Sequence, residues 1–360
     1  MIKKITIALI AILGSASALA GNVDNTPLPT NSGVNLMAPH QEGSWSFGLQ
    51  ANYFQPNNDF NYAVGQQSVT NLNNVQTNDV RTYAVDSNND WGWGADITYH
   101  FPGDGRDVTL AFTQLNTSDS NSVDKEDAGL TNLNATGTPA VNGLRGFNYD
   151  SASGKVKTNY DAVDLTFGQI ITAGNRITLH PFAGLRYAYI NYKATADYQV
   201  VVTNGGSEPT SELEKDSQTL KSTFSGAGPR LGSDAAVNLG SGFSLRGTLG
   251  VSLLVGSMDV DSGYTTATYN LPEYTLNNST ETDHTVDTNT RVVPEADAKL
   301  AAMYHMDFNN GYGLGFEAGY QVTNYFNAIQ NNTVSTVDTS TEYTDFFMQG
   351  PYARVQLDVA

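Results

Sequence analysis

The segment Trp45-Ser46-Phe47-Gly48-Leu49-Gln50-Ala51-Asn52-Tyr53 puts an apolar side chain at every odd position and a small or polar one at every even position. A period of two belongs to a β-strand with one apolar and one polar face. The pattern recurs along the chain. Odd positions are apolar in Trp91, Trp93, Ala95, Ile97, Tyr99 and Phe101, and again in Val163-Phe167, Leu179-Tyr189, Phe243-Val255 and Ala353-Val359. Even positions are apolar in Val108-Phe112, Ala298-Met306 and Tyr312-Val322.

The connections between these segments alternate in length. Short turns fall at Pro102-Gly105, Thr172-Asn175, Gly240-Gly242 and Asn309-Gly311. Each holds Gly or Asn, which tolerate the positive φ of a tight hairpin. Long polar stretches lie at about 55–90, 118–158, 196–216, 261–290 and 327–343. Four short and five long connections imply ten strands with both ends of the barrel region on the short-turn side. The expected fold is all-β, an antiparallel transmembrane barrel of the outer-membrane type. It has about ten strands (eight or twelve as alternatives), short periplasmic turns and long outer loops.

A secreted soluble sandwich also alternates. Two features favour lipid. Aromatic residues of the apolar phase sit at strand ends (Trp91, Phe101, Tyr187, Tyr189, Tyr312, Tyr320), as interface girdles do. The opposite phase carries charge in mid-strand, where a barrel has its lumen.

Composition agrees. Of 360 residues only 15% are charged, while Gly, Tyr and Phe number 34, 19 and 15. A cytosolic enzyme of this size carries charge nearer a quarter. Lys3-Lys4, the apolar run Ile5-Leu13 and Ala18-Leu19-Ala20 read as a cleaved secretory signal, too short to span a bilayer. The expected division is 1–20 signal peptide, 21–43 periplasmic tail or plug and 44–360 barrel, with the cell outer membrane as destination. No later apolar run approaches the length of a transmembrane helix. The formal charge of −18 becomes −20 once Lys3 and Lys4 leave, which speaks against nucleic acid as a partner.

Several longer segments carry a resemblance. They are Trp91-Gly92-Trp93-Gly94-Ala95-Asp96, Asn159-Tyr160-Asp161, Gly226-Ala227-Gly228-Pro229-Arg230-Leu231-Gly232, Leu254-Val255-Gly256-Ser257-Met258-Asp259, Val293-Pro294-Glu295-Ala296-Asp297-Ala298-Lys299-Leu300, Asn324-Tyr325-Phe326-Asn327-Ala328, and Thr344-Asp345-Phe346 leading into Gly350-Pro351-Tyr352. In these the chain resembles the major outer membrane proteins of Legionella, from the second strand to the tenth. The resemblance implies a signal-bearing barrel of a family described as porins and surface attachment factors. One departure matters. The major porin of that family has cysteines that crosslink its subunits; this chain has none, so it reads as a paralogue and any oligomer is not disulfide-linked.

If the apolar phase faces lipid, the lumen-lining charged candidates are Asp96, Asp164, Arg186, Arg230, Asp234, Arg246, Asp297, Lys299, Glu317 and Arg354, together with His180, Glu295 and Asp358 on the same face. The function expected is a porin-like protein whose narrow lumen passes ions or very small solutes, with these charges setting selectivity. The alternative is a surface-exposed adhesin, interaction or structural protein with a plugged lumen. Eight strands give a lumen about filled by side chains, and sixteen or more leave a channel, so ten lies toward the filled end. The five long connections carry −15 of the −20. The partners this suggests are outer-membrane lipid, lipopolysaccharide through shared divalent cations, and basic patches on a host-surface or other extracellular protein.

No catalytic set assembles. The histidines are His40, His100, His180, His284 and His305, and only His284 falls in an outer loop. There is no Gly-x-Ser-x-Gly elbow, P-loop or His-x-x-x-His pair, and no cofactor is expected. Asp259-Val260-Asp261-Ser262-Gly263 begins like a calcium loop but has Asn270 where the bidentate Glu belongs.

Overall fold

The computed structural model describes residues 43–57, 60–70, 76–103, 105–124, 129–132, 149–173, 176–204, 210–308, 311–334 and 339–359. The expected signal peptide, the tail up to residue 42 and His40 lie outside the described residues.

Among the described residues fourteen strands follow in order: β1 (Ser44–Pro56), β2 (Phe60–Thr70), β3 (Gln76–Val85), β4 (Asp90–His100), β5 (Arg106–Asp124), β6 (Gly129–Asn132), β7 (Ser151–Gln169), β8 (Ile171–Ala173), β9 (Ile177–Asn204), β10 (Thr210–Gly240), β11 (Phe243–Leu271), β12 (Thr275–Phe308), β13 (Tyr312–Val334) and β14 (Thr339–Val359). Ten of them close into an antiparallel barrel, β1-β4-β5-β7-β9-β10-β11-β12-β13-β14, with β14 paired back onto β1. Strand β8 prolongs the ladder of β7 on β9, in the same register. The remaining three, β2, β3 and β6, form a small separate sheet.

The alternation read from the sequence sorts side chains between the two faces. Along β1, Trp45, Phe47, Leu49 and Tyr53 are exposed, while Ser44, Ser46, Asn52 and Phe54 are buried. Along β11, Phe243, Leu245, Val251, Leu253 and Val255 are exposed in the same way. From Phe243 to Val255 the strand runs about 40 Å, which at a tilt of about 45° gives roughly 28 Å of height, the thickness of a hydrocarbon layer. Aromatic contacts mark both rims. Trp45, Tyr99, Phe101 and Phe167 touch in sequence on the short-turn side, with Phe243 against Tyr304, and Tyr53 meets Trp91 at the other side. The short turns hold left-handed residues: Gly103, Gly105 and Gly311, and the run Gly240-Ser241-Gly242 at φ 94°, 53° and 84°.

The long connections differ from the loops expected of them. Residues 196–216 and 261–290 are mostly strand, since β9 to β12 continue far past the apolar band before turning. Backbone pairing, not loop chemistry, satisfies these segments: β10 and β11 pair out to Ser211↔Leu271. The calcium-loop expectation is corrected by the same fact. Asp259 and Asp261 lie on extended β11, Asp261 paired to both neighbouring strands and Asp259 to β10, and such a chain does not wrap an ion; Lys221 lies 3.5 Å from Asp261. In the first long connection, β2 sends Phe60, Tyr62 and Ala63 into a buried core, and Tyr198 donates its hydroxyl proton to the Tyr62 carbonyl at 2.5 Å.

Candidate functional site

The inward faces of the barrel carry three zones, stacked from the short-turn end outward.

The first is polar. His180 on β9 stands between Asp107 and Asp234, with Nε2 2.7 Å from Asp107 and Nδ1 3.1 Å from Asp234. His305 on β12 stands between Asp307 (2.8 Å) and Asp358 (3.6 Å), and Ser46 donates to Asp358 at 2.5 Å.

The second zone is a belt of ion pairs. Strand pairing sets Asp164 on β7 directly beside Arg186 on β9. Arg186 therefore grips Asp164 with Nε and Nη2, both at 2.6 Å. Its remaining nitrogen reaches Glu295 on β12 at 2.5 Å. Arg230 on β10 donates to Asp297 at 2.7 Å, Glu295 at 3.3 Å and Ser252 at 3.2 Å, and lies over the Phe182 ring. Two guanidinium groups thus share three carboxylates, all buried or nearly so. A planar fork of five donors is what lets each Arg serve two or three acids at once. On the opposite wall Arg354 on β14 holds Asp96 on β4 by two bonds, at 2.9 and 2.6 Å. It reaches over β1, where a Cβ at Gly48 would collide with both partners. Arg246 on β11 bonds Asp234 at 2.7 Å and approaches Glu317 at 3.7 Å; the Tyr352 hydroxyl donates to Glu317. Lys299 stands 5.5 Å from the Tyr352 ring, a cation facing an aromatic face.

The third zone is apolar. Tyr160 on β7, Tyr325 on β13 and Phe346 on β14 meet ring to ring, and the two tyrosine hydroxyls lie 2.9 Å apart. Their exposures are 2%, 0% and 0%. Around and beyond them Phe54, Leu115, Ile190, Phe224, Leu254, Met258, Val293 and Met348 form one contiguous core. Beneath this core lies a cavity of about 470 Å³, bounded by Tyr160 and Arg186 at its inner end and by His100, Gly311 and Tyr312 at the short-turn end.

All ten candidates, with His180, Glu295 and Asp358, therefore sit on the inward face, and all but Lys299 are joined into networks with one another. Asp107, Thr248 and the aromatic layer are additions. Asp107 follows from the same phase rule taken one residue beyond Val108. Thr248 donates to Asp234 at 2.5 Å. His284 lies in β12, paired with Ser262 on β11. Among the described residues no group of three or more His, Asp or Glu has the geometry of a metal site.

Comparison with known structures gives remote likenesses. They include the outer membrane protease OmpT of Escherichia coli (9% identity, 88% of this chain and 96% of that one, TM-score 0.37). A deletion mutant of the monoaromatic hydrocarbon channel TodX follows (9%, 91% and 93%, 0.29), and the P. putida toluene transporter TodX (8%, 90% and 91%, 0.22). At these scores the likeness carries no argument, and the barrel stands on its own strand pairing. No curated protein matches the chain. Residues 37–359 match the family described as Legionella pneumophila major outer membrane protein precursor, and this barrel, with its lipid-facing band and aromatic rims, belongs to that family of outer-membrane proteins.

Proposed function

We propose that the protein is a surface-exposed, non-catalytic outer-membrane barrel whose filled interior supports the β-structure standing outside the membrane. The observation that carries this reading is the double closure of the lumen, first by the Arg186–Arg230 carboxylate cluster and then by the Tyr160–Tyr325–Phe346 layer. An ion moving along the axis would have to part buried pairs and then enter an aromatic layer in which the hydroxyls of Tyr160 and Tyr325 are bonded to each other and cannot replace its hydration shell. The apolar band meets outer-membrane lipid, and lipopolysaccharide borders its outer rim. The acidic outer region suits a basic patch on a host or other extracellular protein.

A second reading keeps the narrow porin. It is favoured by the cavity on the short-turn side, whose lining extends to Arg186. Passage would then need the aromatic layer to move aside.

The surface reading is tested by removing the outer part of the β11–β12 hairpin, joining Met258 to its register partner Asn289 through an Asn-Gly turn. The shortened protein is expected to fold into a heat-modifiable barrel, and cells displaying it to lose attachment to host-cell surfaces. Undiminished attachment sinks the reading.

A further inference from the structure

Strands β12 and β13 pair from Phe308↔Tyr312 to Glu295↔Tyr325, and among the described residues no further. The reason is a bulge in β13. Between Tyr325 and Ile329 its register against β14 slips, and Asn327 turns to φ 56°. Asp345 holds this bulge, accepting the Asn327 N–H at 2.9 Å and the Asn324 side-chain amide at 3.2 Å. Beyond it β13 leans into the barrel: Ala328 and Ile329 join the core, and the Gln330 N–H donates to Ser222 Oγ on β10 at 3.0 Å. Strand β12 goes straight on, with β11 as its one partner among the described residues.

The outermost stretch, Thr275–Asp283, pairs with β11 from Asn270 to Gly263, with a bulge at Asn277 and an unbroken register from Asn278 to Asp283. Every residue from Pro272 to Glu281 is exposed, so neither face of this strand is packed. In an antiparallel strand alternate residues turn their N–H and C=O away from the partner. The free side is thus a row of strand-forming groups. Edges are usually blunted by shortness, charge (Lys above all), Pro or a bulge. Here the bulge closes off only the tip, and the six regular residues Asn278–Asp283 contain neither Lys nor Pro.

We propose that the open edge of β12 at Asn278–Asp283 accepts an extended, basic segment of a partner protein, which adds a strand to the β10–β11–β12 sheet. The proposal rests on the surface reading above and names its docking point. Charge selects the occupant. Residues 261–290 hold five carboxylates and no Lys or Arg. A second copy would set −5 against −5, whereas a Lys-bearing strand gains both ladder bonds and charge pairing.

The test uses the full chain folded in lipid nanodiscs and a synthetic decapeptide alternating Thr and Lys, with ¹³C-labelled carbonyls. Saturable binding with an isotope-shifted cross-strand infrared band is expected. An N-methylated copy of the peptide, unable to donate, should bind roughly tenfold more weakly, and so should the native peptide to the Glu281→Lys/Asp283→Lys variant. No binding, equal binding of the N-methylated peptide, or indifference to the charge reversal overturns the proposal. Ser279→Pro and Thr280→Pro give a second check, because one of two adjacent residues points its N–H outward. The variant that keeps amide protection in the hairpin should lose the peptide; retained binding overturns the proposal. A dimer in sedimentation that the same proline abolishes would also overturn it, assigning the edge to a second copy. Bilayer conductance of the same preparation reads the closed-lumen account independently of the peptide.

Discussion

Arg186 on β9 spans the width of two intervening strands to place Nη1 2.5 Å from Oε1 of Glu295 on β12, while its other nitrogens hold Asp164 on β7. One side chain thus ties together three strands of the ring. Removing it would leave the buried Glu295 and Asp297 and the part-buried Asp164 to Arg230 alone. Arg186→Ala is therefore expected to destabilise the barrel by about 3–5 kcal/mol, as breaking buried pairs does. Urea unfolding in lipid vesicles, followed by tryptophan fluorescence, measures this. Loss of less than about 1 kcal/mol would mean that the cluster is solvated.

Phe346 fills the layer above that cluster, with no exposed surface, against Tyr160 and Tyr325. Truncating a buried aromatic removes transfer energy and leaves a cavity. Phe346→Ala should cost about 3–5 kcal/mol in the same unfolding assay, whereas Phe346→Leu should recover much of it. Equal stability of Phe346→Ala and wild type would show that the layer is not packed.

Leu249 lies midway along the lipid-facing part of β11, between Phe243 and Val255. Arginine there should cost about 2–4 kcal/mol. Leu276, 58% exposed on the free hairpin, should accept arginine within about 0.5 kcal/mol. If the two substitutions cost the same, the band does not lie where its exposed apolar residues place it.

The carboxylate of Asp345 accepts the Asn327 N–H inside the bulge of β13, where the ladder with β14 is interrupted. Asp345→Ala is expected to lower stability by about 1–3 kcal/mol. Faster hydrogen exchange should be confined to Asn327–Gln330, and unchanged exchange there would remove Asp345 from its holding role.

Much of this was legible from alternation alone. Trp45 to Tyr53 fixes a strand and its two faces, and the glycine turns fix the hairpins. Pairs such as Asp164–Arg186 follow once register brings two inward positions side by side. What alternation hides is the change of environment along one strand. On β9 the apolar residues are odd-numbered through Leu185, Tyr187 and Tyr189, then even-numbered in Ile190, Tyr192, Ala194, Tyr198 and Val200. The odd set faces lipid and the even set is buried in the core. That switch of phase marks where the membrane ends and the inner core begins. Read only as polar sequence, the stretches beyond it pass for loops. The reach of Arg186 to Glu295 depends on barrel curvature, and no local pattern encodes it. Nor does any local pattern show that β13 will bend inward and leave β12 standing alone, because the bulge at Asn327 and its partner Asp345 are distant in the sequence.

The most direct test of the closed-lumen account is single-channel recording of the folded protein in a planar bilayer, with wild type beside Arg230→Glu and Phe346→Ala. The account predicts a silent wild type and leak currents in the variants that breach the ion-pair belt or the aromatic layer. Steady wild-type conductance whose ion preference changes in Arg230→Glu would contradict it, and would make the inward charges the lining of a working pore.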